Sequence, residues 1–270
     1  MKSNQCSQWT KRNIVFFLLF FYLPCQSFAW GLLGHRIVGE IASTYLTSKA
    51  SKEIKKILGN ESIAIASNWA DFIKSDTAYK YLNEWHYADV DKGLNAQQMS
   101  IILQKDTATD AFTRLNFLVT QLKNKDLAQN EKLLYLRMLI HIVGDIHQPF
   151  HVSANGDRGG NDIKVAWFGQ PSNIHRVWDE QLIEGQELSY TEYVKAINFT
   201  TKQQRNEWQT FPMANWFYES YKISEDLHAE LKTPEPKLSY QYVFLHIGTV
   251  NEQLLKGGVR LAGLLNEIFG

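Results

Sequence analysis

The eleven residues His141-Ile-Val-Gly-Asp145-Ile-His147-Gln-Pro149-Phe-His151 constrain this chain more than any other stretch. They place three histidines and one aspartate inside what otherwise reads as buried apolar helix. His141 and Asp145 stand four apart, so a helix sets them on one face, one turn above the other. An imidazole nitrogen and a carboxylate oxygen projecting together suit a zinc ion. Pro149 ends or kinks the helix, because the residue before a proline is pushed out of the α region. His151 is thereby re-aimed and could reach a second metal. Read alone, the run serves equally well as a satisfied core with its histidines hydrogen-bonded in place.

The N-terminal 29 residues read as a targeting segment. Lys2, Lys11 and Arg12 form a basic start, Ile14 to Leu23 is apolar, and Ser27-Phe28-Ala29 resembles a small-residue cleavage site. The apolar run is about half the ~20 residues that a membrane-spanning helix needs. Cleavage after Ala29 is expected, giving a secreted or periplasmic protein that begins at Trp30 and has no stable membrane association. Residues 30–270 are expected to form a single domain and a monomer, with no linker or internal repeat to divide them. Both cysteines, Cys6 and Cys25, fall in the targeting segment, so bound metal is the staple available to an exported chain without disulfides. The segment carries three basic and no acidic residues. The remainder holds 25 basic against 28 acidic residues, a formal charge of −3, with no excess of basic charge for nucleic acid.

Periodicity predicts helix nearly throughout. The expected helices are His35 to Leu46, Ser48 to Leu58 with Ser48 as cap, Glu61 to Ile73 with Ile63, Ile65, Trp69 and Phe72 inward, and Asp110 to Leu122. A central helix runs from Glu131 to Gln148. Further helices cover Ile174 to Ile183, Thr191 to Ile197, Met213 to Leu231 and Ser239 to Phe269, the last with a bend at Gly257-Gly258. Asn83 to Lys92 reads as extended or loop. Asn155-Gly-Asp157 and Gly159-Gly160 mark turns, and Ile163 to Phe168 alternates like a hairpin strand. The fold class is therefore all-α, one compact multi-helix domain with a small β excursion.

The chain has eight histidines, at 35, 86, 141, 147, 151, 175, 228 and 246. His175-Arg-Val-Trp-Asp179 repeats the spacing of His141 and Asp145, while Trp69-Ala-Asp71 and Trp85-His86 add a carboxylate and an imidazole upstream. With no cysteine available, metal sites of this chain are His/Asp sites of the hydrolytic kind.

Together these pieces resemble the zinc-dependent S1/P1 nuclease family. The motifs Trp30-Gly-x-x-Gly-His35, Trp69-Ala-Asp71, Trp85-His86, His141-x₃-Asp145-x-His-x-Pro-x-His151, Gly159-Gly-Asn161-Asp and His175-x₂-Trp-Asp179 occur in the family's order, and Trp216-x-x-Glu219-Ser220 is similar to a further signature. The resemblance implies a helical fold like that of phospholipase C and P1 nuclease, with three Zn²⁺ at the bottom of a cleft. It implies Asp71, His86, His141 and Asp145 on one zinc, and His151, His175 and Asp179 on the second. The α-amine and carbonyl of Trp30, with His35 and a shared Asp145, would hold the third. That role for the amine requires cleavage before Trp30.

Three zinc ions against three carboxylates leave a site of about +3, enough to draw a phosphodiester without a basic surface. The implied reaction is hydroxide attack on phosphorus from a water bridging two zincs, with no protein general base. The implied substrates are single-stranded DNA and RNA, cut to 5′-phosphorylated products, and 3′-nucleotides.

Lys74 stands where many relatives carry arginine and would act with Asp71 and Asp145 in catalysis, although a solvated lysine at a helix end fits the sequence as well. Tyr87 and Asp89 match positions that stack on and hydrogen-bond a base in relatives, and Asn161 is a further substrate candidate; core packing and turn closure are their plainer roles. His147 is expected to steady a ligand rather than bind metal. His228 and His246 match no motif. A zinc phospholipase C is the principal alternative. In that branch the first histidine lies further from the N-terminal tryptophan, and the last ligand is usually glutamate. A zinc-storage protein would show His-rich tracts instead of single ligands dispersed through a core.

Overall fold

A computed structural model describes residues 30–154 and 156–270, so the expected targeting segment lies outside the described residues. The chain opens with α1 (Leu32–Thr44) and α2 (Ser48–Leu58). Thr47, one residue before the expected cap, accepts the Ala50 N–H, and Gly59 ends α2 at a left-handed φ of 66°.

Glu61 to Ile73 is not one helix. It divides into α3 (Ile63–Ala66), capped by Ser62, and α4 (Trp69–Ile73). Ile65 and Phe72, expected inward, are exposed. The break at Ser67-Asn68 resets the helical phase so that Asp71 faces the core, which sends Phe72, roughly 100° further round, to the surface.

A 3₁₀ segment, Thr77–His86, leads into β1 (Ala88–Asp89). Next come α5 (Ala96–Lys105), a helix the sequence reading leaves unassigned, and α6 (Ala111–Leu122), each opened by a reciprocal capping box. The central helix α7 (Gln129–Asp145) is buried from Met138 to its end and stops three residues before Gln148. The turn that follows enters a 3₁₀ segment, Pro149–His151, and then β2 (Val152–Ser153). β1 and β2 pair in parallel, Ala88 with Val152 and Asp89 with Ser153, which brings the His86 and His151 segments side by side.

The expected hairpin is β3 (Lys164–Trp167) with β4 (Gln170–Asn173), closed around Gly169 at φ 80°. Short helices α8 (Ile174–Arg176) and α9 (Leu182–Glu184) flank a widened π turn, Val177–Gln181. Such turns recur at functional sites. α10 (Tyr190–Ile197), a second unassigned helix α11 (Lys202–Thr210) and α12 (Met213–Glu230) follow. β5 (Lys237–Leu238) adds to β3 in parallel, and α13 (Tyr240–Phe269) closes the fold.

α13 runs as one helix through Gly257-Gly258, packed along α1. A Cβ at Gly258 would stand 2.5 Å from Ile41 Cβ, so the glycine permits close helix contact. Among the described residues, no helix is long and apolar enough to cross a membrane.

Candidate metal centre

The centre lies where α1, α4, the His86 strand entry and the C-terminal half of α7 converge. Asp145 is its pivot and is fully buried. Its Oδ1 lies 3.2 Å from His35 Nε2. Its Oδ2 lies 2.9 Å from His86 Nδ1 and 3.3 Å from His141 Nε2. His141 Nε2 is also 3.7 Å from Asp71 Oδ1. His35 stacks on His141 with ring centroids 3.9 Å apart, an approach that Gly144 permits: a Cβ there would meet His35 Nδ1 at 2.7 Å.

Two groups of three donors arise here, His35, Asp71 and His141, and His86, His141 and Asp145, each with its ligand atoms within 4.8 Å of one another. A third group with the same spread joins His151, His175 and Asp179. In that group His175 Nε2 is 2.9 Å from Asp179 Oδ2, and His151 Nε2 is 3.9 Å from Asp179 Oδ1.

Main-chain carbonyls set the orientation of three of these rings. Ser67 O faces His141 Nδ1 at 2.6 Å, His86 O faces His151 Nδ1 at 2.7 Å, and Gly159 O faces His175 Nδ1 at 2.6 Å. A carbonyl accepts only, so each Nδ1 carries the proton and each Nε2 keeps its lone pair toward the site. Burial lowers the pKa of His35, His86 and His151 and brings His141 down to about 4, so the rings are neutral. Burial raises Asp145 and Asp179 above the usual carboxylate range. Three buried carboxylates beside neutral imidazoles form a donor set that calls for positive charge. Lys74 supplies some of it, with Nζ 2.6 Å from Asp71 Oδ1. Nε2 of His35, His86 and His151, Asp71 Oδ2 and Asp145 Oδ1 are buried without hydrogen-bond partners, which fits a site for metal ions.

A profile described as S1/P1 Nuclease matches residues 30–270. The chain belongs to the S1/P1 nuclease family. It is 30% identical to Endonuclease 3 of Arabidopsis thaliana, over 97% of this chain and 96% of that protein. It is 26% identical to Nuclease P1 of Penicillium citrinum, over 89% of this chain and 98% of that one. With Nuclease S1 of Aspergillus oryzae it shares 30% identity over 58% of this chain and 56% of the relative. The protein is thus a nuclease, and of the three readings of the sequence the nuclease stands.

The remaining candidates fall at different distances from this nuclease's donors. Trp30 is fully buried, and the adjacent Gly31 N–H donates to the Asp179 carbonyl at 2.7 Å. Tyr87, between His86 and β1, and Asp89 on β1 are both exposed. Burial, and then the charge of Asp157, raise the Asp89 carboxyl. Asn161 donates to the Arg158 carbonyl at 2.8 Å and so closes its own turn.

His147 makes its hydrogen bonds away from the donor groups, to the Val143 carbonyl at 2.7 Å and to Arg260 at 3.0 Å. It belongs to a buried lattice behind α7 in which Arg260 pairs with Glu219 at 2.7 Å, Ser220 donates to the Ile146 carbonyl, and Gln253 donates to the His147 carbonyl. The Trp216-x-x-Glu219-Ser220 motif is therefore a clamp on the turn that leads from Asp145 to His151. Sequence reasoning missed Gln148, which is buried, caps the 3₁₀ segment at Phe150 N and donates to Asp179. Its place before Pro149 was the available signal.

Proposed function

We propose that this nuclease is an exported three-zinc enzyme that hydrolyses single-stranded DNA and RNA to 5′-phosphorylated products and removes phosphate from 3′-nucleotides. The observation that carries the reading is the division of Asp145, one oxygen toward His35 and the other toward His86 and His141. A carboxylate so divided can hold two ions at a fixed separation, as a two-metal phosphodiesterase requires.

In this reading Asp71, His86, His141 and Asp145 hold one ion, and His151, His175 and Asp179 a second. Trp30, through an α-amine freed by cleavage and its carbonyl, would hold the third with His35 and Asp145. Removal of the leader after Ala29 agrees with the full burial of Trp30, whose main chain is tied to Asp179 through Gly31. Zinc held there would supply Lewis acidity toward the phosphodiester and acidify the attacking water.

The side chains do the rest. Asp71 fixes Lys74, whose ammonium offers a point charge to a phosphate oxygen without the two-pronged grip of an arginine. Tyr87 offers an exposed ring for stacking on an unpaired base, and Asp89 accepts from the base edge. Asn161, in the turn after Gly160, is a further candidate contact.

The test is release of nucleotides from single-stranded DNA and RNA before and after chelation, with zinc added back and 3′-nucleotides and phosphatidylcholine assayed in parallel. Chelator-sensitive release restored by zinc is expected. Full activity after exhaustive removal of metal would overturn the reading.

A further inference from the structure

His228 corresponds to none of the motifs above, yet both of its ring nitrogens are engaged. In the last turn of α12 its Nδ1 faces the Ser224 carbonyl at 2.7 Å, and its Nε2 stands 2.7 Å from Asp157 Oδ2. Each nitrogen thus faces an oxygen acceptor, and the two contacts together fix the plane of the ring. The pair is shielded: the side chains of His228 and Asp157 are 13% and 17% exposed, and the Phe150 ring lies 5.2 Å from the imidazole.

Asp157 passes this anchorage to a turn. Its Oδ1 accepts the Gly160 N–H at 2.8 Å, and its carbonyl accepts the Asp162 N–H at 3.1 Å. The turn between them is built from Gly159 and Gly160 at φ 61° and 78°, where a side chain would be strained. It is also pressed against the segment that carries His151, since a Cβ at Gly159 would lie 2.4 Å from the Phe150 carbonyl oxygen. Gly159 turns its own carbonyl to His175 Nδ1 at 2.6 Å, which leaves Nε2 facing Asp179.

We propose that His228 is a positioning residue for the His151, His175 and Asp179 group: by holding Asp157 it fixes the Gly159 carbonyl that aims the His175 ring. The role rests on the metal reading above, because the ring needs aiming only if its Nε2 binds an ion. Partners that orient a metal ligand typically govern metal affinity by 10–100-fold, and His228 stands two links further out, behind Asp157 and the Gly159 turn, so the lower end, about 10-fold, is the expected scale.

The experiment uses zinc-loaded protein made from the full chain, compared with His228→Ala, His228→Gln, His228→Asn, Asp157→Ala and the His228→Ala/Asp157→Ala double variant. Zinc retention is titrated against a competing chelator, kcat is measured on single-stranded DNA, and thermal unfolding is followed on chelator-stripped samples. His228→Ala is expected to yield one zinc equivalent at about tenfold lower chelator, with kcat falling in parallel. Asp157→Ala should match it, and the double variant should be no worse, because both break one chain of contacts. Glutamine, long enough to donate to Asp157, should recover most of the retention, whereas the shorter asparagine should not.

Retention and kcat of His228→Ala within twofold of wild type would overturn the role, as would equal behaviour of glutamine and asparagine. If the alanine variant fails to fold, the glutamine–asparagine comparison decides. A wild-type protein that holds no zinc under the same titration would refute the metal reading itself, and the positioning role with it.

Discussion

Replacing Gly144 by alanine sets helix propensity against geometry. In a helix interior alanine is worth about 1 kcal/mol over glycine, so on an open face the change would stabilise. At Gly144 the added Cβ meets His35 Nδ1 at 2.7 Å and Cε1 at 3.0 Å, where ordinary contact begins near 3.4 Å. The ring cannot retreat freely. It is fully buried, stacked at 3.9 Å on His141, with Nε2 3.2 Å from Asp145. Relief needs a shift of about 0.7 Å, and overpacking of this kind costs about 1–3 kcal/mol.

The net expectation is a loss of about 0–2 kcal/mol in chelator-stripped protein. At roughly 2–4 °C per kcal/mol for a chain of this size, the melting temperature should stay level or fall by a few degrees. Function should suffer more, because displacing His35 moves a donor from Asp145, and a misplacement near 1 Å can cost on the order of 10²-fold in rate. Gly248→Ala is the control. It is an exposed position on α13 with nothing within 4 Å of a Cβ, and it should stabilise by up to about 1 kcal/mol with zinc content and rate unchanged. If Gly144→Ala gains stability as the control does and keeps full zinc and kcat, the tight His35–α7 contact has no functional weight.

Asp145→Asn should lose more than one metal equivalent on elemental analysis, since both oxygens face histidines; protein that still carries a full complement would refute the shared role. On the proposed reading, a glycine added before Trp30, in protein made to begin at that residue, should cost zinc and activity by displacing the α-amine, and an extended protein of undiminished rate would remove Trp30 from the ligand set. Lys74→Arg should retain more single-strand cleavage than Lys74→Ala, which should fall about tenfold or more; equal losses would mean that the charge beside Asp71 is only structural. For stripped protein the sign of one acid effect is fixed. His141 has a folded pKa near 4 against an ordinary 6.5, so the unfolded chain takes up the proton first and stability drops as pH falls through that window. His141→Gln should flatten that part of a denaturant-midpoint profile, which for one such group amounts to at most about 3 kcal/mol.

The helices that were legible in the sequence bury one strong apolar stripe and carry clear ends. α6, with Leu115, Leu118 and Leu122 buried and Asp110 as cap, is an example. α11 was not, because none of its residues is buried and its register is held by polar contacts such as Gln209 to the Val259 carbonyl. Its signal was the capping box Thr201 to Gln204, and Asn95 to Gln98 plays that part for α5. Glu61 to Ile73 misled for a physical reason. Its apolar residues suit one continuous helix, but the site needs Asp71 inward and the Ser67 carbonyl free for His141, and breaking the helix meets both needs.

The same division holds at the site. Histidines and aspartates at spacings of four announce themselves because side-chain chemistry is written in residue type. The atoms that aim them are not so written: the carbonyls of Ser67, His86 and Gly159 are chemically the same as any others, and only the fold brings them to an imidazole. What the sequence can mark is the backbone path that delivers such a carbonyl. Gly159 and Gly160 do so through φ values that other residues avoid; Gly144 marks a different need, room for the His35 ring. This predicts an order of tolerance. Substitutions at Ser67 and His86 that leave the main chain in place should preserve the orientation of His141 and His151. Substitution of Gly159 by alanine, which alters the path itself, should disorient His175 although every donor side chain remains. Competition with a chelator would show it as weakened retention of one zinc, and a Gly159→Ala protein with wild-type retention would mean that His175 is aimed by its own helix alone.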